Sequence, residues 1–524
     1  MLIFFSGISF ALVTDHVWED FYITYRSSKN LSTGNGLVFN PGERVHAFTS
    51  PLNVLVPAAF SFFTANRSDQ AVIWLMRIFS LGLLSCSGVL LYDIAGKAGL
   101  KNNERALLIG LYATNTKIID FSINGQESGF MLIFLALALH TLLTRKENAR
   151  WPLALSLAGL MWSRPDGFIY FGCIALGFLI FIREVSFTSS RVALLKTYAQ
   201  SAGVAGLMYL PWLLFAQIYY GTPIPHPLTA KGLDLSFSLS SIGRDLLYFI
   251  PSLFYADTTA TATWGPVYHF FGGWPDTIQW FMKIMGIIAA LYWLAPVKNC
   301  QARAISFAFM LNHFYLTHIA SAPAPWYIPN TAILGILVVG YAFNDLLTCA
   351  QHINRQVLRQ ILHGLAGVLA AYIIINNTYV FAASGYQLRL QQSIIEENHR
   401  KQMGLWLKEH AQKGDSVLLE PLGYVGYFSQ LKTYDFPGLS SPEVVAARKQ
   451  LGTNEWEKLI DELKPNWVIR RPFEYYDQNN AKYLEENYQL AHIFDVTEQI
   501  MAHTWLPGRP YLLYDRMFAV FKRR

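Results

Sequence analysis

Charge is what this sequence has least of. Only 15% of its 524 residues are Asp, Glu, Lys or Arg, against roughly 25% in an ordinary soluble domain. The net charge of +6 is modest, and no nucleic-acid partner is expected. Cysteine is scarce too. The four residues Cys86, Cys173, Cys300 and Cys349 sit within or at the ends of apolar runs, at no spacing that suggests a zinc site or a disulfide framework. Internal repeats, low-complexity tracts and a cleavable signal are also missing. Met1–Val13 has the look of a signal h-region, but no A-x-A site follows it. It is short for a membrane span, so the first helix is expected to tilt or to have its natural start upstream.

What is present is apolar sequence, and it is clustered. Hydrophobic residues make up 53% of the chain and aromatic ones 15%. Runs long enough to cross a bilayer recur from Met1 to about Phe381 and then stop. Spans are predicted at 1–14, 71–96, 105–120, 127–144, 150–163, 167–182, 197–216, 278–296, 304–319, 326–347 and 357–381, about eleven in all. After Tyr386 the texture changes to soluble alternation, as in "KGDSVLLEPLGYVGYFS". The chain therefore reads as a polytopic α-helical membrane domain, 1–385, followed by a soluble α/β domain, 386–524. In the second part, strands are predicted at 416–420, 466–471, 490–496 and 517–522, with helices near 394–412 and 441–463. "GYVGYFS" reads as lacking the strand–turn–helix setting of a dinucleotide site.

Topology follows from the placement of the basic residues. Alternate loops hold Lys97, Lys101, Arg105, Arg145, Lys146, Arg150, Arg183, Arg191, Lys196, Lys298, Arg303, Arg355 and Arg359. That is thirteen in roughly 47 residues, against seven in roughly 136 on the other side. The first set is cytoplasmic by the positive-inside rule, provided the apolar stretch 52–63 lies in the interface rather than crossing. Every motif-like loop then falls on the outer face: 15–70, "NGQESG" (124–129), "SRPDG" (163–167), "YYGTPIPHPLTAKG" (219–232) and "APAPWY" (322–327). The C-terminal domain joins them there. A pore would place polar groups at mid-depth along its helices, and a transporter would show inverted repeats or broken helices there. Polar loops gathered at one mouth, beside apolar walls, suit an enzyme working on a lipid-borne substrate.

The loop 15–70 carries the most chemistry. Glu19 and Asp20 open a helix-like segment, "EDFYITYRSSKN", that ends before Gly34 and Gly36. Helical spacing puts Glu19, Tyr22, Arg26 and Lys29 or Asn30 on one face, with Asp20, Thr24 and Ser27 beside it. Two adjacent carboxylates can supply a general base for an acceptor hydroxyl, or they can simply mark a helix N-terminus. Arg26, Arg164 and Lys231 are candidates to hold a phosphate leaving group. Arg164 and Asp166 in "SRPDG" also make a sound turn. Glu127 can bind a sugar or cap the helix that starts beside it. Trp326 and Tyr327 can stack on a sugar or isoprenoid, or anchor in the interface.

Taken together these motifs resemble the GT-C glycosyltransferases, in particular the bacterial branch that includes the mycobacterial arabinofuranosyltransferases. "EDFYITYRSSKNLSTGNGLVFNPGERVHAFTSPL" is similar to that family's first outer loop. "NGQES", "SRPDG", "YYGTPIPHPLTAK", "PWY" and "EPLGYVGYFS…YDFPGLSSPEVV" follow in the family's order. The resemblance implies a multi-pass protein of the bacterial inner membrane with its C-terminal domain outside. It implies an inverting transferase that moves a sugar from a polyprenyl-phosphate donor to a glycan, lipid or protein acceptor. No metal and no organic cofactor are implied.

Carried over by residue, the acidic pair is Glu19 and Asp20. The family's first Asp is Glu19 here, so Asp20, which keeps the family residue type, is the favoured base and Glu19 the second. Asp15 lies outside the pattern and reads as a helix-end residue. His226-Pro227-Leu228 replaces the family's Asn-Thr, Ala47-Phe48 its Gly-Tyr, and Gln126 its Met. His226 is thus a candidate sugar or acceptor contact, as are Glu127, Asp166, Trp326 and Tyr327. The rival expectation is a GT-C relative that has lost its base and serves as a scaffold.

Overall fold

The computed structural model describes all residues except 146–147, 182–186, 189, 233–238, 256–258, 297–298, 321–323, 453–454 and 476–477. Lys146, Arg183 and Lys298 of the basic loop set, and part of the 322–327 loop, lie outside the described residues. Helices dominate the first 400 residues. After α1 (Leu2–Thr14) come α2 (Glu19–Ser32), α3 (Pro51–Phe63), α4 (Asp69–Lys97), α5 (Asn102–Thr114), α6 (Thr116–Ile123) and α7 (Ser128–Thr144). Then follow α8 (Arg150–Ser163), α9 (Gly167–Phe181), α10 (Arg191–Tyr220), α11 (His226–Gly232), α12 (Leu239–Tyr255) and α13 (Thr259–Ala262). The bundle closes with α14 (Asp276–Leu291), α15 (Cys300–Phe314), α16 (Pro329–Gln351) and α17 (Gln356–Leu390).

Among the described residues, five helical stretches are long and apolar enough to cross a membrane: Asp69–Lys97, Arg191–Tyr220, Asp276–Leu294, Pro329–Gln351 and Gln356–His410. Others are shorter, α1 and α3 having 13 residues each, or about 20 Å against a hydrocarbon core of about 30 Å. The run predicted as one span at 105–120 is not one helix. Asn115 breaks it, accepting the Ile118 amide at 3.1 Å as the cap of α6. An Asn side chain competes well for backbone donors, so it starts a helix more readily than it continues one.

The break gives Lys117 its place. Its ammonium is buried and donates to the carbonyls of Ala262, Gly265 and Pro266 at 2.6, 2.6 and 2.8 Å. Three carbonyls around one ammonium hold the turn after α13, which leads directly to Tyr268.

At the other end of the bundle, α17 does not stop where the composition changes. It continues through a π-helical stretch, Gln391–Arg400, into α18 (Lys401–His410). Gln391 bonds Glu396 and Gln392 bonds Glu397, five residues on, as the wider turn demands.

A five-stranded sheet follows. Strands β1 (Ser416–Leu419), β2 (Lys432–Asp435), β3 (Trp467–Arg470), β4 (Tyr488–Asp495) and β5 (Met517–Arg523) lie in the order β2-β1-β3-β5-β4. β1 is parallel to both neighbours, while β5 runs antiparallel to β3 and β4. β2 was not expected from its polar sequence, "KTYD"; it is an edge strand that needs little apolar surface. Between β1 and β2 runs α19 (Leu422–Ser429). "GYVGYFS" therefore does sit in a strand–turn–helix unit, contrary to the sequence expectation. The helix predicted over 441–463 forms as two, α20 (Pro442–Leu451) and α21 (Trp456–Leu463), with Gly452 in the left-handed region at φ 62°. Val417, Leu419, Trp467 and Phe518 share one core with Ile23, Phe39 and Ala47 of the 15–70 loop. The sheet is thus completed by the membrane half of the chain.

Replacing Lys117 with Met should leave three buried carbonyls without a donor, at a cost of about 3 kcal/mol. A lowered thermal unfolding midpoint in nanodiscs, followed by tryptophan fluorescence, is the expected result.

Candidate active site

The path into the site begins where α1 ends. Asp15 takes a left-handed conformation, φ 44°, and pairs with Arg77 at 2.7 Å. The residues that follow are clamped from both sides. The Val17 amide donates to Gln392 (3.0 Å) and its carbonyl accepts from the Tyr424 hydroxyl (3.0 Å). The Trp18 amide donates to the Asn124 carbonyl and its indole to Asp120, both at 3.1 Å. With Trp18 fixed, α2 starts at Glu19 in one orientation.

The face of α2 that holds Glu19, Tyr22 and Arg26 is covered by α19. Glu19 accepts the Gly423 amide at the N-terminus of that helix, where backbone donors favour a carboxylate. Tyr22 packs on Tyr424 and Tyr427 at ring separations of 4.4 and 5.0 Å. Arg26 donates to the carbonyls of Gly426 (2.7 Å) and Leu431 (3.0 Å) and lies over Phe39. Lys29, Tyr25 and Tyr427 all converge on Asp69, at 2.8, 2.8 and 2.6 Å. Beyond Asn30, Gly34 and Gly36 end the helix with φ of 85° and 88°. Tyr219 and Tyr220 then hold Leu37, accepting its amide and donating to its carbonyl.

Glu19 and Asp20 line a cavity of about 310 Å³ between the bundle and the C-terminal domain. Trp18, Gln126, Tyr268 and Trp326 face it from the bundle; Arg400, Glu420, Arg471, Tyr511 and Asp515 face it from the other side. Burial raises the Glu19 carboxyl well above the usual range, against the pull of Arg400. Burial also raises Asp20, to about 6, while Lys231 and a hydrogen bond from Glu19 hold it down. Burial thus pushes both carboxyls of the adjacent pair above their usual range, with Arg400 and Lys231 pulling them back. On the opposite wall Asp515 is buried, yet Arg400 and Arg471 hold it at about 2. Arg471 also bridges Glu420 (2.6 Å) and Glu474 (3.0 Å).

The remaining candidates fall into two groups. Arg164 is saturated: it meets Glu127 at 2.5 Å, Asp166 at 2.8 and 3.1 Å, and stacks on Tyr327 at 3.7 Å. Lys231 lies 3.5 Å from the Tyr327 hydroxyl and has no ion pair among the described residues. These groups sit beside the cavity, and Trp326 lines it. Arg26 and His226 are elsewhere. His226 donates its amide to the His46 carbonyl at 2.8 Å and faces Ser441 and Glu443 of the C-terminal domain. Sequence reasoning did not single out Arg400, Glu420, Arg471, Tyr511 or Asp515. A signal existed for two of them: Glu420 and Arg471 directly follow the neighbouring parallel strands β1 and β3, the strand ends where open α/β sheets bind ligands.

The same architecture occurs in solved proteins. An oligosaccharyltransferase from Archaeoglobus fulgidus, with a tethered acceptor peptide, matches at a TM-score of 0.56 and 12% identity, over 95% of this chain and 72% of that one. ArnT from Cupriavidus metallidurans, bound to undecaprenyl phosphate, matches at 0.50 and 10% identity, over 99% and 97% of the two chains. The chain has the GT-C fold.

In sequence, the chain resembles two terminal β-(1→2)-arabinofuranosyltransferases. One, from Corynebacterium glutamicum, is 28% identical over 245 residues, 41% of this chain and 32% of the relative. The other, from Mycobacterium tuberculosis, is 26% identical over 230 residues, 41% of this chain and 34% of the relative. The chain spans about a third of the length of these curated relatives. A family described as a domain of unknown function (DUF8728) matches residues 386–514.

A Cβ on Gly423 would run into the Glu19 carbonyl. Gly423→Ala should therefore destabilise the protein by about 2 kcal/mol, while Gly203→Ala, with open space around it, should not. Unfolding midpoints of the two variants provide the comparison.

Proposed function

We propose that this protein is an inverting glycosyltransferase that takes its sugar from a polyprenyl-phosphate donor at the outer face of the membrane. One observation carries the reading: two adjacent carboxyls open onto a cavity walled by aromatic rings and guanidinium groups. The arabinofuranosyltransferase relatives support sugar transfer, and the undecaprenyl phosphate bound by ArnT supports a prenyl donor. The charge asymmetry of the loops supports the outer face.

Asp20 is the base. With its pKa near 6 it is mostly ionised at neutral pH, yet basic enough to take a proton in the transition state. The acceptor hydroxyl gives its proton to Asp20 as its oxygen attacks the anomeric carbon. The bond from that carbon to the phosphate oxygen breaks on the opposite side, and the polyprenyl phosphate leaves with the electron pair. Glu19, held by the Gly423 amide, positions Asp20. Of the three candidate cations, Lys231 is the one without an ion pair among the described residues, and it meets the leaving phosphate; Arg164 is occupied by Glu127 and Asp166, and Arg26 by backbone carbonyls. The rings of Trp18, Tyr268, Trp326 and Tyr511 give sugar faces a surface to stack on. The acceptor enters from the C-terminal domain side.

Asp20→Asn should lower turnover about 10²- to 10⁴-fold with donor binding retained, because the base acts chiefly in the transition state. Glu19→Gln should cost less. Transfer or hydrolysis from a panel of radiolabelled polyprenyl-phosphate sugars is the assay; unchanged turnover in both variants and in the double variant would overturn the carboxylate mechanism, whereas no turnover with any donor would favour a different lipid donor or the scaffold. The pH profile is a separate test. Activity requires ionised Asp20, so kcat/KM should fall as pH drops through about 6. Removing the charge that holds Asp20 down, with Lys231→Met, should move that limb to higher pH.

A further inference from the structure

A larger cavity lies at the opposite end of the bundle. It is a groove of about 770 Å³ between α5, α16 and α17, within the roughly 300–1,000 Å³ of small-molecule sites. Its floor is apolar and its walls are made of small residues, Gly110 and Gly367 among them; a Cβ on either would meet nothing within 4 Å. The deep end is closed by Asn377, which donates to the Thr114 hydroxyl (2.6 Å) and carbonyl (3.2 Å). Those polar groups are satisfied by each other, so the floor offers an apolar chain no unpaired donor. From its 13-residue length α5 spans about 20 Å, a little more than one leaflet of a hydrocarbon core about 30 Å thick.

The shallow end is polar and basic. Lys101 and His363 line it, and Arg359 lies one turn before His363 on α17. Lys101, Arg355 and Arg359 form no ion pair among the described residues. Glu104, the acid at this end, is buried and accepts the Lys101 amide at 2.6 Å, capping α5. A largely apolar groove about one leaflet deep, with unpaired cations at its mouth, has the charge and shape of one kind of ligand.

We propose that this groove binds an anionic phospholipid, one acyl chain lying between α5 and α17 and the phosphate facing Lys101 and Arg359. The loops that carry these residues belong to the basic, cytoplasmic set, so the lipid is one of the inner leaflet. The site is remote from Glu19 and Asp20 in the fold, and it stands whether or not the donor reading is correct.

The test uses the full chain purified in detergent, with native mass spectrometry of retained lipid and unfolding midpoints after adding phosphatidylglycerol or phosphatidylcholine. Phosphatidylglycerol should be retained and should raise the midpoint more than phosphatidylcholine does. Gly110→Phe with Gly367→Phe should fill the groove, match the wild-type midpoint in lipid-free detergent and lose retention. If that variant does not fold, Lys101→Glu with Arg359→Glu decides, keeping retention of a lipid but losing the preference for the anionic one. Equal response to both lipids, full retention in the filled variant, or the same stabilisation by glycerol phosphate alone would each overturn the proposal.

Discussion

Everything at the candidate active site depends on how closely α19 approaches α2. At Gly423 the two backbones come together with no room for a side chain, and that contact sets the Glu19 carboxyl against an amide at the end of α19. From there the seam runs outward through Tyr22 and Tyr427, and through Arg26 and Gly426, to Asp69, which gathers three donors. One half of the seam is a loop of the membrane bundle and the other belongs to the α/β domain. Neither half alone would hold the acidic pair in place, because α2 is short, polar and starts without a side-chain cap of its own.

This seam also explains why two adjacent carboxylates differ. Glu19, half-buried, faces the seam and is held by the Gly423 amide; Asp20, one residue on, feels Lys231 instead. The inequality is a matter of position on a helix, not of residue type. It follows that the chemistry assigned to Asp20 is inseparable from the domain packed behind its neighbour. The opposite wall is different in kind. Arg400, Arg471 and Asp515 neutralise one another with further carboxylates around them, so that wall is rigid and polar without offering a free cation.

Much of this was legible in the sequence. The polar break after α1, the helix at Glu19 and its end at Gly34 follow from local composition, and four of the five strands follow from short apolar runs. The features that were not legible are those made by distant parts of the chain. Gly423 and Glu19 are separated by 404 positions, and nothing local marks Arg400 or Asp515 as cavity residues. Where local reading misled, polar residues were the cause. Asn115 divides an otherwise continuous apolar run, and "KTYD" forms an edge strand in spite of its charges. Arg26 and Arg164 carried the charge of phosphate ligands, but packing had already supplied their partners.

The unbroken helix from Gln356 to His410 has a mechanical meaning. Fifty-five residues make a rod of roughly 80 Å, with its lower part in lipid and Arg400 near its upper end. Helices answer a mismatch between their apolar length and the bilayer by tilting. A tilt of about 5° about the foot of this rod would carry its top sideways by ~6 Å or more over such a length. Because Gln392 of the same rod holds the Val17 amide, such a tilt would carry the start of α2 with it, so the rod couples the placing of the acidic pair to the orientation of the bundle.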